Sequence, residues 1–144
     1  AQWSEFAPNE WVIPAERMKR EITHRVPLSS AGQAVLERTK GLDAEFVFPQ
    51  VVSAGQDTAK PLSENAFLSL LKRMGRDAFT PHGLRSTFRD WCSEYTDVSD
   101  KVAEAALAHA TGNETEQAYA RSDLLQRRVA LMEDWGRFAT SKLP

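Results

Sequence analysis

The sequence predicts an α+β domain, mainly α with a small antiparallel β-sheet near its start. Two observations carry this reading. From residue 29 onward, segment after segment spaces apolar side chains three and four residues apart, the period of a helix with one buried face. Before that, two short runs rich in β-favouring residues flank a charged connection, the pattern of a hairpin. A length of 144 residues suits one domain with a real core, and 42% hydrophobic with 26% charged residues is the composition of a soluble globular protein. The expected organisation is a β-hairpin region over 1–28, a helical core over 29–121 and a C-terminal helix over 122–144.

Trp11-Val12-Ile13-Pro14 and His24-Arg25-Val26-Pro27-Leu28 are the two hairpin strands, joined by Ala15 to Thr23. Ser30-x-x-Gln33 has the form of a capping box and opens a helix that ends near Lys40-Gly41. Glu45 to Phe48 is a third short strand, and Pro49 to Pro61 a loop. Ser63 caps a helix whose Phe67, Leu70, Leu71 and Met74 keep helical spacing until Gly75. Thr80 is the N-cap of the next helix, with Pro81 in its first position. There Leu84, Phe88, Trp91 and Tyr95 form one apolar stripe, while His82, Arg85 and Arg89 project from another face.

A further helix runs from Ser99 to His109, packing through Val102, Ala105, Ala106 and Leu107, and Gly112-Asn113 breaks it. Tyr119 falls in or beside a short following helix. Leu124, Leu125, Val129, Leu131, Met132, Trp135 and Phe138 make the last helix amphipathic, to be packed either on its own core or on another molecule. Cys92 is the only cysteine, which excludes an internal disulfide, and it reads as a core residue. No apolar stretch is long enough to span a bilayer and no signal-peptide pattern opens the chain, so the expectation is a cytoplasmic protein without a membrane partner. The three histidines lack an i,i+4 pairing and no acidic trio has two-metal spacing, so neither a metal nor another cofactor is expected.

The polar residues of the second half carry the chemistry: His82-Gly83-Leu84-Arg85, then His109, then Tyr119. A tyrosine, with an unperturbed pKa of about 10, needs cations and proton handlers around it to act as a nucleophile. The step from His82 to Arg85 places both on one helix face. A guanidinium there offers phosphate two parallel donors, which an ammonium cannot.

Thr80-Pro81-His82-Gly83-Leu84-Arg85-Ser86-Thr87-Phe88 resembles the His-x-x-Arg box of tyrosine recombinases. Leu107-Ala108-His109-Ala110-Thr111 resembles their Leu-Gly-His box, with Ala108 where glycine is usual, and Gln117-Ala118-Tyr119 stands where their nucleophile does. The similarity is to integrases of prophages and genomic islands and runs from about Trp3 to Phe138. It implies the integrase catalytic-domain fold and metal-free site-specific recombination through a 3′-phosphotyrosine. Tyr119 would be the nucleophile, Arg85 would bind the phosphate, and His82 and His109 would hydrogen-bond it or move protons. Lys19, seven residues before Val26, fits the place of the family's hairpin lysine, which protonates the leaving oxygen. By itself the run of Arg17, Lys19 and Arg20 reads as a solvated hairpin tip; beside the other boxes Lys19 reads as catalytic, with Arg17 and Arg20 as DNA contacts.

The family has another arginine, upstream of a segment resembling Trp3-Ser4-Glu5-Phe6, that finds no counterpart here. The expectation is therefore an N-terminally truncated catalytic domain that is inactive by itself for want of that arginine. Partners implied by the resemblance are double-stranded DNA attachment sites and a homo-tetramer on that DNA, with the C-terminal helix docked on a neighbouring protomer. The net charge of −2 speaks mildly against DNA, but the hairpin places four basic residues (Arg17, Lys19, Arg20, Arg25) against Glu16 and Glu21. Two other readings are a non-catalytic DNA-binding or assembly module derived from an integrase, and a type IB topoisomerase-like enzyme.

Overall fold

The computed structural model describes residues 1–50, 60–109 and 123–141. Among them are three strands, β1 (Phe6–Ala7), β2 (Glu10–Ile13) and β3 (His24–Pro27), in one antiparallel sheet ordered β1-β2-β3. The helices are α1 (Ser30–Thr39), α2 (Ala66–Arg73), α3 (Pro81–Tyr95), α4 (Asp100–Ala106) and α5 (Leu125–Thr140). The α+β expectation and the β2–β3 hairpin agree with this architecture, with Trp11 opposite Val26 and Ile13 opposite His24.

The sheet's third strand is not the expected one. Phe6–Ala7 fills that place, with Phe6 opposite Trp11 and their rings stacked at 5.6 Å. At Glu45–Phe48 there is only an isolated bridge from Phe46 to Gln2. The reason lies in Asp43, whose carboxylate accepts the backbone N–H of Glu45 at 2.9 Å and of Phe46 at 2.6 Å. Those donors are spent on a local turn and are lost to any strand ladder.

A buried carboxylate organises the hairpin's outer end. Glu5 accepts from Trp11 Nε1 at 2.9 Å and from the backbone N–H of Gln2 at 3.2 Å, and it pairs with Arg17. Burial alone would raise its pKa; the hydrogen bonds from Trp11 and Arg17 outweigh that and hold it below the usual carboxylate range.

Helix caps fall close to expectation, with two shifts. Ser29 rather than Ser30 caps α1, its Oγ accepting from the Gly32 N–H at 3.1 Å, and Gln33 turns its amide to the Leu28 carbonyl at 3.4 Å instead of closing a capping box. The Ser30 N–H, an orphan donor of this helix start, is taken by Glu133 of α5 at 2.8 Å. Ser63 does not cap α2, which begins after Asn65. The α2 stripe of Phe67, Leu70 and Met74 lies exposed rather than buried. Thr80 caps α3 as expected, accepting from the Gly83 N–H at 3.0 Å, with Pro81 in the first turn.

The core gathers the middle of α3 (Phe88, Trp91, Cys92), α4 (Val102, Ala103) and Leu131 of α5, with Met132 and Trp135 packed against it. Trp135 meets Phe88 edge-on at 5.3 Å and Trp91 at 5.2 Å. Leu84 and Tyr95, expected in the same stripe, lie beyond this layer at the two ends of α3 and are exposed. Helix α4 stops at Ala106, short of His109. Helix α5 packs in cis against α1, β3 and α4.

The α1–α5 contact has no room to spare. A Cβ added at Gly136 would sit 2.7 Å from Ser29 Oγ and 2.9 Å from Ser29 Cβ. Gly136→Ala therefore lowers stability even though alanine is the better helix former: crowding costs about 1–3 kcal/mol against a propensity gain of roughly 1 kcal/mol. A lower urea midpoint with an unchanged slope is the expected outcome.

Candidate active site

The candidate site is built where α3 passes the end of α4. Helix α4 gives way at Leu107, and Ala108 adopts φ +55°, in the left-handed region. This is the physical reason the similar box usually has glycine there, since a Cβ is disfavoured in that conformation. The turn carries His109 back over α4, where its N–H donates to the Glu104 carbonyl at 2.9 Å. It also frees the Leu107 carbonyl to accept from the guanidinium Nη2 of Arg85. Arg85, partly buried on α3, is thus tied to the backbone two residues from His109, and among the described residues its other N–H donors have no hydrogen-bond partner.

Glu104 joins the two helices a second time. Its Oε1 accepts from Arg89 Nε at 2.7 Å, and its Oε2 lies 2.5 Å from His109 Nδ1. Arg89 also donates to Asp100 Oδ1 at 2.6 Å. Burial pushes the Glu104 carboxyl up, but the hydrogen bonds from His109 and Arg89 outweigh it and hold it below the usual range. The same two carboxylates raise the pKa of Arg89.

The start of β3 closes the third side. Burial lowers the His24 pKa, the Arg128 and Arg85 charges lower it further, and the Ala106 backbone carbonyl and the Asp123 charge oppose them. Next to it, the buried guanidinium of Arg128 donates Nη1 to the Arg25 carbonyl at 2.5 Å and meets Asp123 through Nη2 at 3.2 Å. Arg25 in turn pairs with Glu10 at 2.9 Å and Asp123 at 3.5 Å.

Of the residues singled out by sequence, Arg85 and His109 are brought together through the Leu107 turn. Lys19 is exposed in the β2–β3 connection, and His82 is exposed on the first turn of α3; among the described residues no contact ties either to that turn. Arg17 is engaged with Glu5, and Arg20 is exposed beside Lys19. Tyr119 and the expected break at Gly112-Asn113 lie outside the described residues. Among the described residues no group of three or more His, Cys, Asp or Glu is placed to hold a metal ion, and no helix is long and apolar enough to cross a membrane.

Sequence reasoning missed His24, Glu104 and Arg128. His24 opens the His-Arg-Val-Pro-Leu run of the hairpin, and neither its strand position nor the spacing of the three histidines marks it out. Glu104 and Arg128 match no motif, and the contacts that tie them to other elements, from Arg89 to Glu104 and from Arg128 to the Arg25 carbonyl, join residues 15 and 103 positions apart.

The pKa directions fix a pH dependence. His24 is lowered from its ordinary 6.5, first by burial and then by the Arg128 charge. Between 6.5 and its folded value the unfolded chain binds the extra proton, so stability falls as pH drops through this window. Glu5 and Glu104, lowered from 4.5, lose their contribution further down, as pH falls through their folded values. Thermal melts should therefore show Tm falling on acidification from neutrality, and His24→Gln should flatten the first part of that fall.

A family model described as the phage integrase family matches residues 2–125. The chain is 41% identical over 140 residues to the prophage integrase IntA of Escherichia coli (strain K12), covering 94% of this chain and 33% of that protein. It is 32% identical over 158 residues to the integrase of Enterobacteria phage P4, covering 96% of this chain and 35% of the relative. With the integrase of Shigella phage Sf6 it shares 29% identity, covering 99% of this chain and 37% of the relative. The chain thus spans about a third of the length of these curated relatives. No solved structure gave a significant match. The boxes around Arg85 and His109 therefore lie within a family match covering most of the sequence, and the chain belongs to the phage integrase family of tyrosine recombinases.

Proposed function

We propose that this chain is the catalytic portion of an enzyme that integrates or excises mobile DNA by cutting and rejoining strands at attachment sites. The observation that carries the proposal is the joint between Arg85 and the Leu107 carbonyl, which holds the Arg85 guanidinium beside the turn that bears His109. A preorganised cation of this kind stabilises charge as it develops in a phosphoryl transfer, without reorganising at the moment of reaction.

In this reading the Tyr119 oxygen attacks a DNA phosphodiester, forming a 3′-phosphotyrosine and breaking the bond to the 5′-oxygen. The tyrosine's proton passes to His109 or His82, and the departing 5′-oxygen takes a proton from Lys19. Arg85 binds the non-bridging oxygens, joined by an arginine from another part of the enzyme. The 5′-hydroxyl of a partner strand then reverses the step, so the covalent link conserves the bond energy and no cofactor is consumed. Arg17 and Arg20 belong to the surface that tracks the DNA backbone.

The working assembly is a homo-tetramer on double-stranded DNA in the cytoplasm. Helix α5 keeps Leu131 and Trp135 on its own core, so docking of this helix on a neighbouring protomer would use an outward residue such as Val129.

The test uses the integrase that contains this chain, incubated with a nicked attachment-site DNA. A covalent protein–DNA adduct should form, and should vanish in Tyr119→Phe with DNA binding retained. The 144-residue chain alone should cleave negligibly, since loss of one preorganised donor costs roughly 10²–10³ in rate. Site-specific binding without any adduct would instead favour a DNA-binding or assembly module, and site-independent relaxation of supercoils a topoisomerase.

A further inference from the structure

We infer that Glu104 is a positioning residue that fixes the tautomer and orientation of His109, and that Arg89 in turn fixes Glu104. The part played by His109 in the reaction rests on the recombinase reading above, but the geometry stands without it. Glu104 divides its two oxygens: Oε1 accepts from Arg89 Nε at 2.7 Å and Oε2 lies 2.5 Å from His109 Nδ1. Arg89 is itself held at two points one turn apart on α4, by Glu104 and by Asp100 at 2.6 Å.

An ionised carboxylate can only accept hydrogen bonds, so the hydrogen of the shared contact belongs to Nδ1. Neutral His109 then keeps Nε2 as a proton acceptor, and protonated His109 offers Nε2–H as a donor. In both states Nε2 is the nitrogen left for a nucleophile or a phosphate. The His109 N–H also donates to the Glu104 carbonyl at 2.9 Å, so one helical residue grips the histidine by backbone and side chain together. That grip matters because His109 itself sits on a turn beyond the helix end. The logic is that of a catalytic triad, in which a carboxylate holds the imidazole in the productive tautomer.

Glutamine at 104 reverses the arrangement with no change in size. Arg89 Nε–H must still meet the side-chain carbonyl oxygen, which turns the amide NH₂ toward His109. Nδ1 then has to accept, the hydrogen moves to Nε2, and Nε2 can no longer take a proton. Aspartate retains the charge but falls one methylene short.

Histidine-labelled ¹⁵N NMR can read this directly, because the chain has three histidines, assigned through His24→Gln and His82→Gln. At about pH 8, where an ordinary imidazole is neutral, His109 should be Nδ1–H in the native protein and Nε2–H in Glu104→Gln, with the helical circular dichroism of both alike. In the integrase containing this chain, Glu104→Gln should slow adduct formation roughly 10²–10⁴-fold, the share of a general acid or base, with DNA affinity nearly unchanged. An Nε2–H tautomer in the native protein, a tautomer unmoved by the substitution, or an unaltered adduct rate would overturn the inference. A tautomer switch in a protein that forms no adduct at all would uphold the hold of Glu104 on His109 and sink the recombinase reading instead.

Discussion

The arrangement depends on one buried cation. Arg128 is 1% exposed, and a guanidinium taken so far from water is costly unless its donors are met. Two of them are, by the Arg25 carbonyl of β3 and by Asp123 at the start of α5; its Nε has no partner among the described residues. Removing Asp123 would leave the charge without its counter-ion, and the Arg25 carbonyl commits α5 to β3. Burial lowers the pKa of Arg128, opposed by the Asp123 charge, and the same guanidinium helps depress His24.

Because α5 is pinned to β3 at one end and to α1 at the other through Glu133 and Gly136, it joins the hairpin to the helical core. That junction brings the start of β3 to the end of α4, where His24 meets the Ala106 carbonyl. It also sets the depth at which α3 lies, with Phe88 and Trp91 against Trp135 and with Arg85 and Arg89 turned toward α4. The result is local electrostatics that the net charge of −2 conceals. The acids nearest the site, Glu104 and Asp100, are paired with Arg89, while among the described residues Arg85 meets a neutral carbonyl and no carboxylate.

Much of this was legible in the sequence where the signal was local. The Thr80-Pro81 start of α3, the β2–β3 hairpin and the burial of Phe88 and Trp91 follow from capping chemistry and period. What was not legible involved competition or distance. Asp43 captured the N–H groups of a segment with good strand character, and a chain read by period alone cannot weigh that rival. The left-handed Ala108 ended α4 early although nothing about alanine announces such a turn. At the candidate site, motif spacing points to Arg85 and His109, whereas the Arg89–Glu104 and Arg128–Arg25 contacts emerge only once elements distant in sequence lie side by side.

The central claim is that this scaffold serves a tyrosine that takes the 3′ end of a cut strand. The most direct measurement is the polarity and attachment point of the trapped intermediate, from protease digestion and mass spectrometry together with end-labelling of the released DNA. The account predicts a nucleotide linked through a 3′-phosphate to the peptide containing Tyr119, and a released strand whose free 5′-hydroxyl can be phosphorylated by a kinase. A 5′-phosphate linkage, or attachment at any other residue, would contradict it.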